Sequence, residues 1–153
     1  MSAPAMKPEC GDTDYQAWLV QQAAHLRARR FAELDYEALA EELEDMGRSE
    51  RRAVESHLKS LLLHLLKWSQ QAQRRSGSWR DSIDSARDAI IDLLDDSPSL
   101  RPRLPEFVER QYPRALRSAA NQTGLVEADF PPHCPFTLEQ ILDHEFFPTA
   151  PEE

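Results

Sequence analysis

The sequence predicts an all-α fold: an antiparallel bundle of four to five helices, with a short acidic helix and a Pro-rich C-terminal segment. Three observations predict it. Val54, Leu58, Leu61, Leu65, Trp68 and Ala72 recur at alternating spacings of four and three, the heptad rhythm that keeps one helix face turned toward partner helices. Only 4 glycines occur in 153 residues, and 41% hydrophobic residues stand beside 29% charged ones, as expected of a helical globular chain whose apolar residues are confined to inward faces. Alternation of strand length is absent.

The elements follow in order. Thr13 or Asp14 can cap a first helix reaching Arg30, with Tyr15, Trp18, Leu19, Gln22 and Leu26 on one face. Asp35 is the natural cap of a second, short acidic helix whose Tyr36, Leu39, Ala40, Leu43 and Met46 should turn inward. Gly47 stands where a left-handed residue would close it. Ser49 then caps a long third helix running to Gln73, whose apolar arc is widened by Leu62, Leu63 and Leu66, which marks it as central. Ser78 and Asp81 resemble a capping box for a fourth helix, with Trp79, Ile83, Ala86, Ile90 and Leu93 inward and Asp81, Asp84, Asp88, Asp92 and Asp95 facing solvent. Ser97 and Pro98 open a fifth helix that Pro113 should kink or end and that Thr123 and Gly124 close. After a proline-stiffened loop, Thr137 with Gln140 can cap a short terminal helix.

One domain is expected over residues 13 to 148, between tails at 1 to 12 and 149 to 153. The first residues lack the basic and apolar regions of a signal peptide, and no run approaches the roughly 18 apolar residues of a membrane span, so a cytoplasmic location is expected. Cys10 and Cys134 are too few for a disulfide framework and too isolated for a closed zinc site.

The net charge of −9 argues against wholesale binding to a phosphate backbone. Its distribution is segregated: residues 33 to 47 carry seven acids and no base, residues 48 to 80 eight bases against two acids, and residues 121 to 153 seven acids and no base. Neighbouring helices of opposite sign would attract; alternatively, residues 48 to 80 form a local surface for an anionic ligand or partner. Glu42, Asp45, Arg48, His64, Arg75 and Arg80 are the candidate ligand- or partner-binding residues. Trp68 and Trp79 bracket RRSGS, either as seam positions or as part of an aromatic and basic patch.

Metal chemistry finds little support. His57 and His64 are seven residues apart, about 10 Å along a helix axis, so one ion cannot bind both. The spacings HExxH and Glu-x-x-His do not occur. A mononuclear site would have to join one histidine to Glu41, Glu42 or Asp45 across the second and third helices. No motif calls for a cofactor. Cys134 beside His133 sits in a Pro-Pro-His-Cys-Pro loop that fixes extended backbone rather than a thiolate pair.

Arg52 and His57 form an Arg-x-x-x-x-His arrangement that resembles the signature of the HEPN superfamily of helical ribonucleases. That resemblance implies metal-independent RNA cleavage, with the imidazole moving the 2′-hydroxyl proton and the guanidinium stabilising the scissile phosphate. Ala53 stands where that superfamily usually carries a polar residue. Over nearly its whole length the chain resembles the domain-of-unknown-function 29 family. The resemblance rests on DYQAWLVQQAAHLRARRF, LAEELEDMGRSERR, HLLKW, RRSGSWRDSI, DDSPSLRP and CPFTLEQIL. It implies an all-α cytoplasmic bacterial protein and carries no established activity. The expected function is therefore a non-catalytic protein-interaction or regulatory module working through a protein partner or self-association, away from membranes, with the ribonuclease or a metal or small-molecule site as alternatives.

Overall fold

A computed structural model describes residues 14–150. Cys10, Thr13, the expected N-terminal tail and residues 151–153 lie outside the described residues. The fold is all-α, with five α-helices and no strand among the described residues: α1 (Tyr15–Arg27), α2 (Tyr36–Gln70), α3 (Gly77–Asp96), α4 (Leu104–Thr123) and α5 (Leu138–Leu142). The chain divides into two compact units, Met1–Ser49 and Glu50–Glu153.

In the N-terminal unit, the Asp14 carboxylate accepts from the Ala17 amide and starts α1. The helix stops at Arg27, short of Arg30, because Arg29 turns left-handed at φ 55 and the Arg30 amide bonds back to the His25 carbonyl. Arg29 thus fills a position that glycine usually takes. Trp18, Gln22, Leu34, Asp35 and Ala38 are buried. The Gln22 side-chain oxygen accepts from the Asp35 amide at 3.0 Å, and Asp35 in turn caps α2 by accepting from the Ala38 amide at 3.2 Å.

This arrangement corrects two expectations. Tyr36, Leu43 and Met46 do not turn inward: they are 63%, 68% and 62% exposed. Gln22 of α1 meets Asp35 at the start of α2, and Trp18, Gln22 and Ala38 are buried; at 100° per residue Tyr36, Leu39, Leu43 and Met46 fall on a different arc of α2 from Ala38. Nor do the acidic helix and the long helix separate at Gly47. Residues 36 to 70 form one helix of 35 residues. A helix-interior glycine costs only about 1 kcal/mol relative to alanine, less than is lost by ending one helix and starting another at Ser49.

In the C-terminal unit, the second part of α2 supplies the core with Val54, Leu58, Leu61, Leu62, Leu63, Leu65 and Leu66, against Ile83, Ile90 and Leu94 of α3 and Phe107, Ala115 and Ala119 of α4. Contacts fix the helix directions. Ser97 after α3 donates to Glu50, and Lys67 lies over the Trp79 ring, so α3 runs antiparallel to α2. Arg110 pairs with Glu55, and Lys67 donates to Gln122, so α4 runs parallel to α2. The result is an up-down-up arrangement.

Local chemistry accounts for the helix ends. Ser76, not Ser78, caps α3: its extended backbone lets the hydroxyl accept from the Trp79 amide at 3.2 Å, whereas Ser78 already lies within the helix. The expected fifth helix begins as a 3-10 turn, Pro98–Arg103, before α4. α4 runs through Pro113 without ending, because the ring sits on the exposed face while Tyr112, Ala115 and Leu116 beside it are buried. Gly124 closes α4 at φ 75, and Thr137 with Gln140 forms the expected capping box of α5.

Arg87 secures the segment that follows. It occupies a core position of α3 at 0% exposure. It donates to the carbonyls of Ile141 (2.8 Å), Gln140 (3.2 Å) and Phe146 (2.8 Å). Burial lowers its pKa, opposed by the nearby charges of Asp84 and Asp143.

Two predictions follow from this fold. Gly47→Ala should stabilise the protein by about 0.5–1 kcal/mol in thermal or urea unfolding, since its backbone is helical. Gly124→Ala should destabilise it by about 1 kcal/mol, since its backbone is left-handed; the same sign for both variants would contradict these assignments. Arg87→Met should lower stability by about 3 kcal/mol by leaving buried carbonyls unsatisfied, and amide exchange from Ile141 to Phe146 should accelerate first. An unchanged unfolding midpoint would refute the clamp.

Candidate functional site

The sequence candidates fall into separate environments. In the N-terminal unit, Tyr15 donates to Glu42, while Arg48 pairs with Asp45 and lies 3.9 Å from Glu44. The Asp45 contact raises the Arg48 pKa. The Arg48 contacts are exposed i,i+3 and i,i+4 pairs along one helix, and such pairs contribute little to stability.

In the C-terminal unit, His57 lines a shallow cleft of about 350 Å³ with Ser60, Asp81, Ser82 and Ser85 between α2 and α3. Arg52 is exposed and does not line it. Five residues along one helix rotate a side chain through about 140°, which separates this guanidinium from the imidazole. His64 is turned onto its own helix: its Nδ1–H donates to the Ser60 carbonyl at 2.7 Å, which leaves Nε2 as the acceptor of the neutral ring. Burial lowers its pKa, and Lys67 adds to that effect while the Ser60 bond opposes it.

The metal alternative assumed two facing helices, one acidic and one carrying the histidines. Both sets of residues belong to the single helix α2. Among the described residues no group of three or more His, Cys, Asp or Glu side chains is placed to hold a metal ion. The Asp81 to Asp95 row of α3 likewise encloses nothing, although Asp88 meets His144 at 2.7 Å. Cys134 is a free thiol that donates to the Phe136 carbonyl at 3.5 Å, and burial raises its pKa.

The residues that do converge are Arg75 and Arg80, with three partners that the sequence reading left out of the site: Lys67, Arg87 and Phe147. The Trp68 and Phe147 rings stand 4.9 Å apart between centroids. Arg75 lies 5.1 Å from the Trp68 centroid and donates through Nε to the Trp68 carbonyl. Arg80 and Arg87 lie 4.6 Å and 5.4 Å from the Phe147 centroid. Lys67 is 4.5 Å over Trp79, with its pKa lowered by burial. These cations meet ring faces, where the quadrupole attracts positive charge. The carboxylate pairs of the unit lie elsewhere, at Arg101–Asp95, Arg103–Glu106, Arg110–Glu55 and Arg117–Glu127.

Arg87 had a legible signal, since its spacing from Ile83, Ile90 and Leu94 places it on the core face of α3. Phe147 had none, because nothing periodic surrounds it. A family model described as Domain of unknown function DUF29 matches residues 12–147. The chain belongs to the DUF29 family. Neither a curated protein nor a solved structure matches it. In this DUF29 chain no helix among the described residues is long and apolar enough to cross a membrane.

The His64 geometry predicts a pH dependence. Its pKa is lower in the folded state than in the unfolded state, so the unfolded chain takes up the proton first. Stability should be full above about pH 6.5, the unperturbed value, and should fall as pH drops below it toward the folded pKa. Unfolding measured across that range should show a shallower loss in His64→Gln; an unchanged slope would contradict the assignment.

Proposed function

We propose that this DUF29 chain is a non-catalytic interaction module that engages a protein partner, or a second copy of itself, through the N-terminal part of α2. One observation carries the reading. Seven of the eight exposed large hydrophobic residues among the described ones precede Ser49: Tyr15, Val20, Leu26, Phe31, Tyr36, Leu43 and Met46. Exposed apolar residues concentrated in one segment of the chain support an interaction site, since exposed apolar patches mark such sites. On α2 the stripe formed by Tyr36, Leu43 and Met46 spans about 80° of the helix, with Leu39 half-buried within it. Glu37, Glu41, Glu44 and Asp45 lie on other arcs of the same helix. An apolar stripe with charge alongside is the pattern by which amphipathic helices dock into grooves or pair with one another.

The ribonuclease alternative draws no support from the geometry, because Arg52 and His57 diverge around α2. The interaction reading is tested with Leu43→Glu/Met46→Glu. The wild-type protein should self-associate in mass measurements over a concentration series, or should retain a partner on affinity capture. The double variant should lose that association while keeping its helical circular dichroism. A wild type that is monomeric at every concentration and retains nothing sensitive to the two substitutions would remove the proposal.

A further inference from the structure

The charge around the exposed face of α2 selects its partner. At 100° per residue, Met46, Leu39, Leu43, Tyr36 and Ala40 fall in that order around an arc of about 120°. All but the half-buried Leu39 are exposed. Residues three and four apart on a helix surface are neighbours, so the arc is one continuous stripe about 15 Å long from Tyr36 to Met46. Both of its edges are acidic. Glu44, Glu37 and Glu41 follow Ala40 on one side, and Glu42 follows Met46 on the other.

These acids are only partly compensated. Glu44 lies 3.9 Å from Arg48, whereas Glu37 and Glu41 make no ion pair among the described residues. Residues 33 to 47 hold seven acids and no base. Two copies paired through this stripe would set those acids against each other, and like charges across a helix pair oppose association. Nor does a second copy present its bases beside an open apolar stripe. Arg51, Arg52, Lys59 and Lys67 of α2 accompany a seam whose leucines, Leu58, Leu61, Leu62, Leu65 and Leu66, are buried in the core. The complementary face belongs to another protein.

We infer that the occupant is a basic amphipathic helix of a partner protein, laid along α2 from Tyr36 to Met46. Its apolar side covers the stripe, and its lysines or arginines lie over the carboxylates at the two edges. This rests on the interaction reading above and adds the chemistry of the partner. Apolar contact supplies the affinity of such a pairing, while the flanking charges set partner choice and the rate of encounter. About three turns of partner helix match the stripe. The acidic row of α3 offers no equivalent, since Ile83, Ile90 and Leu94 of that helix are buried.

The test uses the full-length protein and labelled peptides of two heptads each, followed by fluorescence anisotropy. The first peptide has leucine at its a and d positions and lysine elsewhere. The second has glutamate in place of lysine, and the third scrambles the first so that its leucines share no face. The leucine-lysine peptide should bind saturably, the scrambled peptide about tenfold more weakly, and the leucine-glutamate peptide not at all. Leu43→Gln/Met46→Gln, which removes apolar surface without adding charge, should weaken the leucine-lysine peptide by about tenfold. Glu37→Gln/Glu41→Gln should weaken it about fivefold, the scale of two exposed ion pairs. That second difference should vanish at about 1 M salt, where charges are screened within about 3 Å. Asp81→Asn/Asp92→Asn, on the acidic row of α3, should bind as the wild type does. The proposal is overturned if the leucine-lysine peptide does not bind, if the scrambled peptide binds as tightly, or if either α2 variant binds like the wild type. A wild type that self-associates through Leu43 and Met46 yet ignores the leucine-lysine peptide would uphold the interaction reading and overturn the basic partner alone.

Discussion

Leu61, Leu62, Leu63, Leu65 and Leu66 are all buried, and at 100° per residue they spread over more than half the circumference of α2. A helix segment this apolar cannot be covered by one neighbour. α3 and α4 supply two walls, with α3 antiparallel and α4 parallel to α2. Further cover comes from irregular chain after α4, including Phe130, Phe136 and Phe147, which pack on the same core. The Pro-rich segment is thus part of the core's enclosure. Tyr112 ties it to α4 by donating to the Pro131 carbonyl at 2.5 Å, in surroundings that push the phenol up to about 12. Arg87 ties the rest of the segment through Gln140, Ile141 and Phe146.

What was legible in the sequence was what short-range chemistry decides. The seam from Val54 to Leu65, the Asp35 cap, the Thr137–Gln140 box and the Gly124 terminus each depend on residues within a turn or two of one another. The errors came where two local solutions compete. Gly47 followed by Ser49 can stop and restart a helix, yet α2 continues, since a single glycine interrupts no hydrogen bond. Ser76 and Ser78 are both plausible caps, and Gly77 sets the choice by being the first helical residue after Ser76. The inward face assigned to Leu43 and Met46 failed because periodicity reveals an apolar stripe without revealing whether a neighbour covers it.

The candidate site was only half legible. Arg75 and Arg80 stood out as part of a basic run, but the rings they meet are distributed between α2 and the segment after α5. No local pattern announces such a meeting. His64 was noticed for its chemistry, yet its Nδ1–H is committed to Ser60 one turn back, a common arrangement for a polar side chain at the edge of an apolar seam. Charge segregation along the chain also had more than one outcome: Arg48 pairs with acids of its own helix, whereas the cations near Trp68 and Trp79 lie against aromatic rings.

The Arg87 contacts carry a consequence for the order of folding. α2, α3 and α4 can meet as soon as their own residues are available, through contacts short enough in sequence to form quickly. The acceptors of Arg87 lie more than fifty residues further on, at Gln140, Ile141 and Phe146. A chain emerging from the ribosome therefore holds a charged group beside its closing core until residues up to Phe146 have appeared. Water can solvate that guanidinium while it waits, until the last of its acceptors, 59 residues further on, has been made. The late segment then takes the place of that water, carbonyl by carbonyl, as it docks on Arg87.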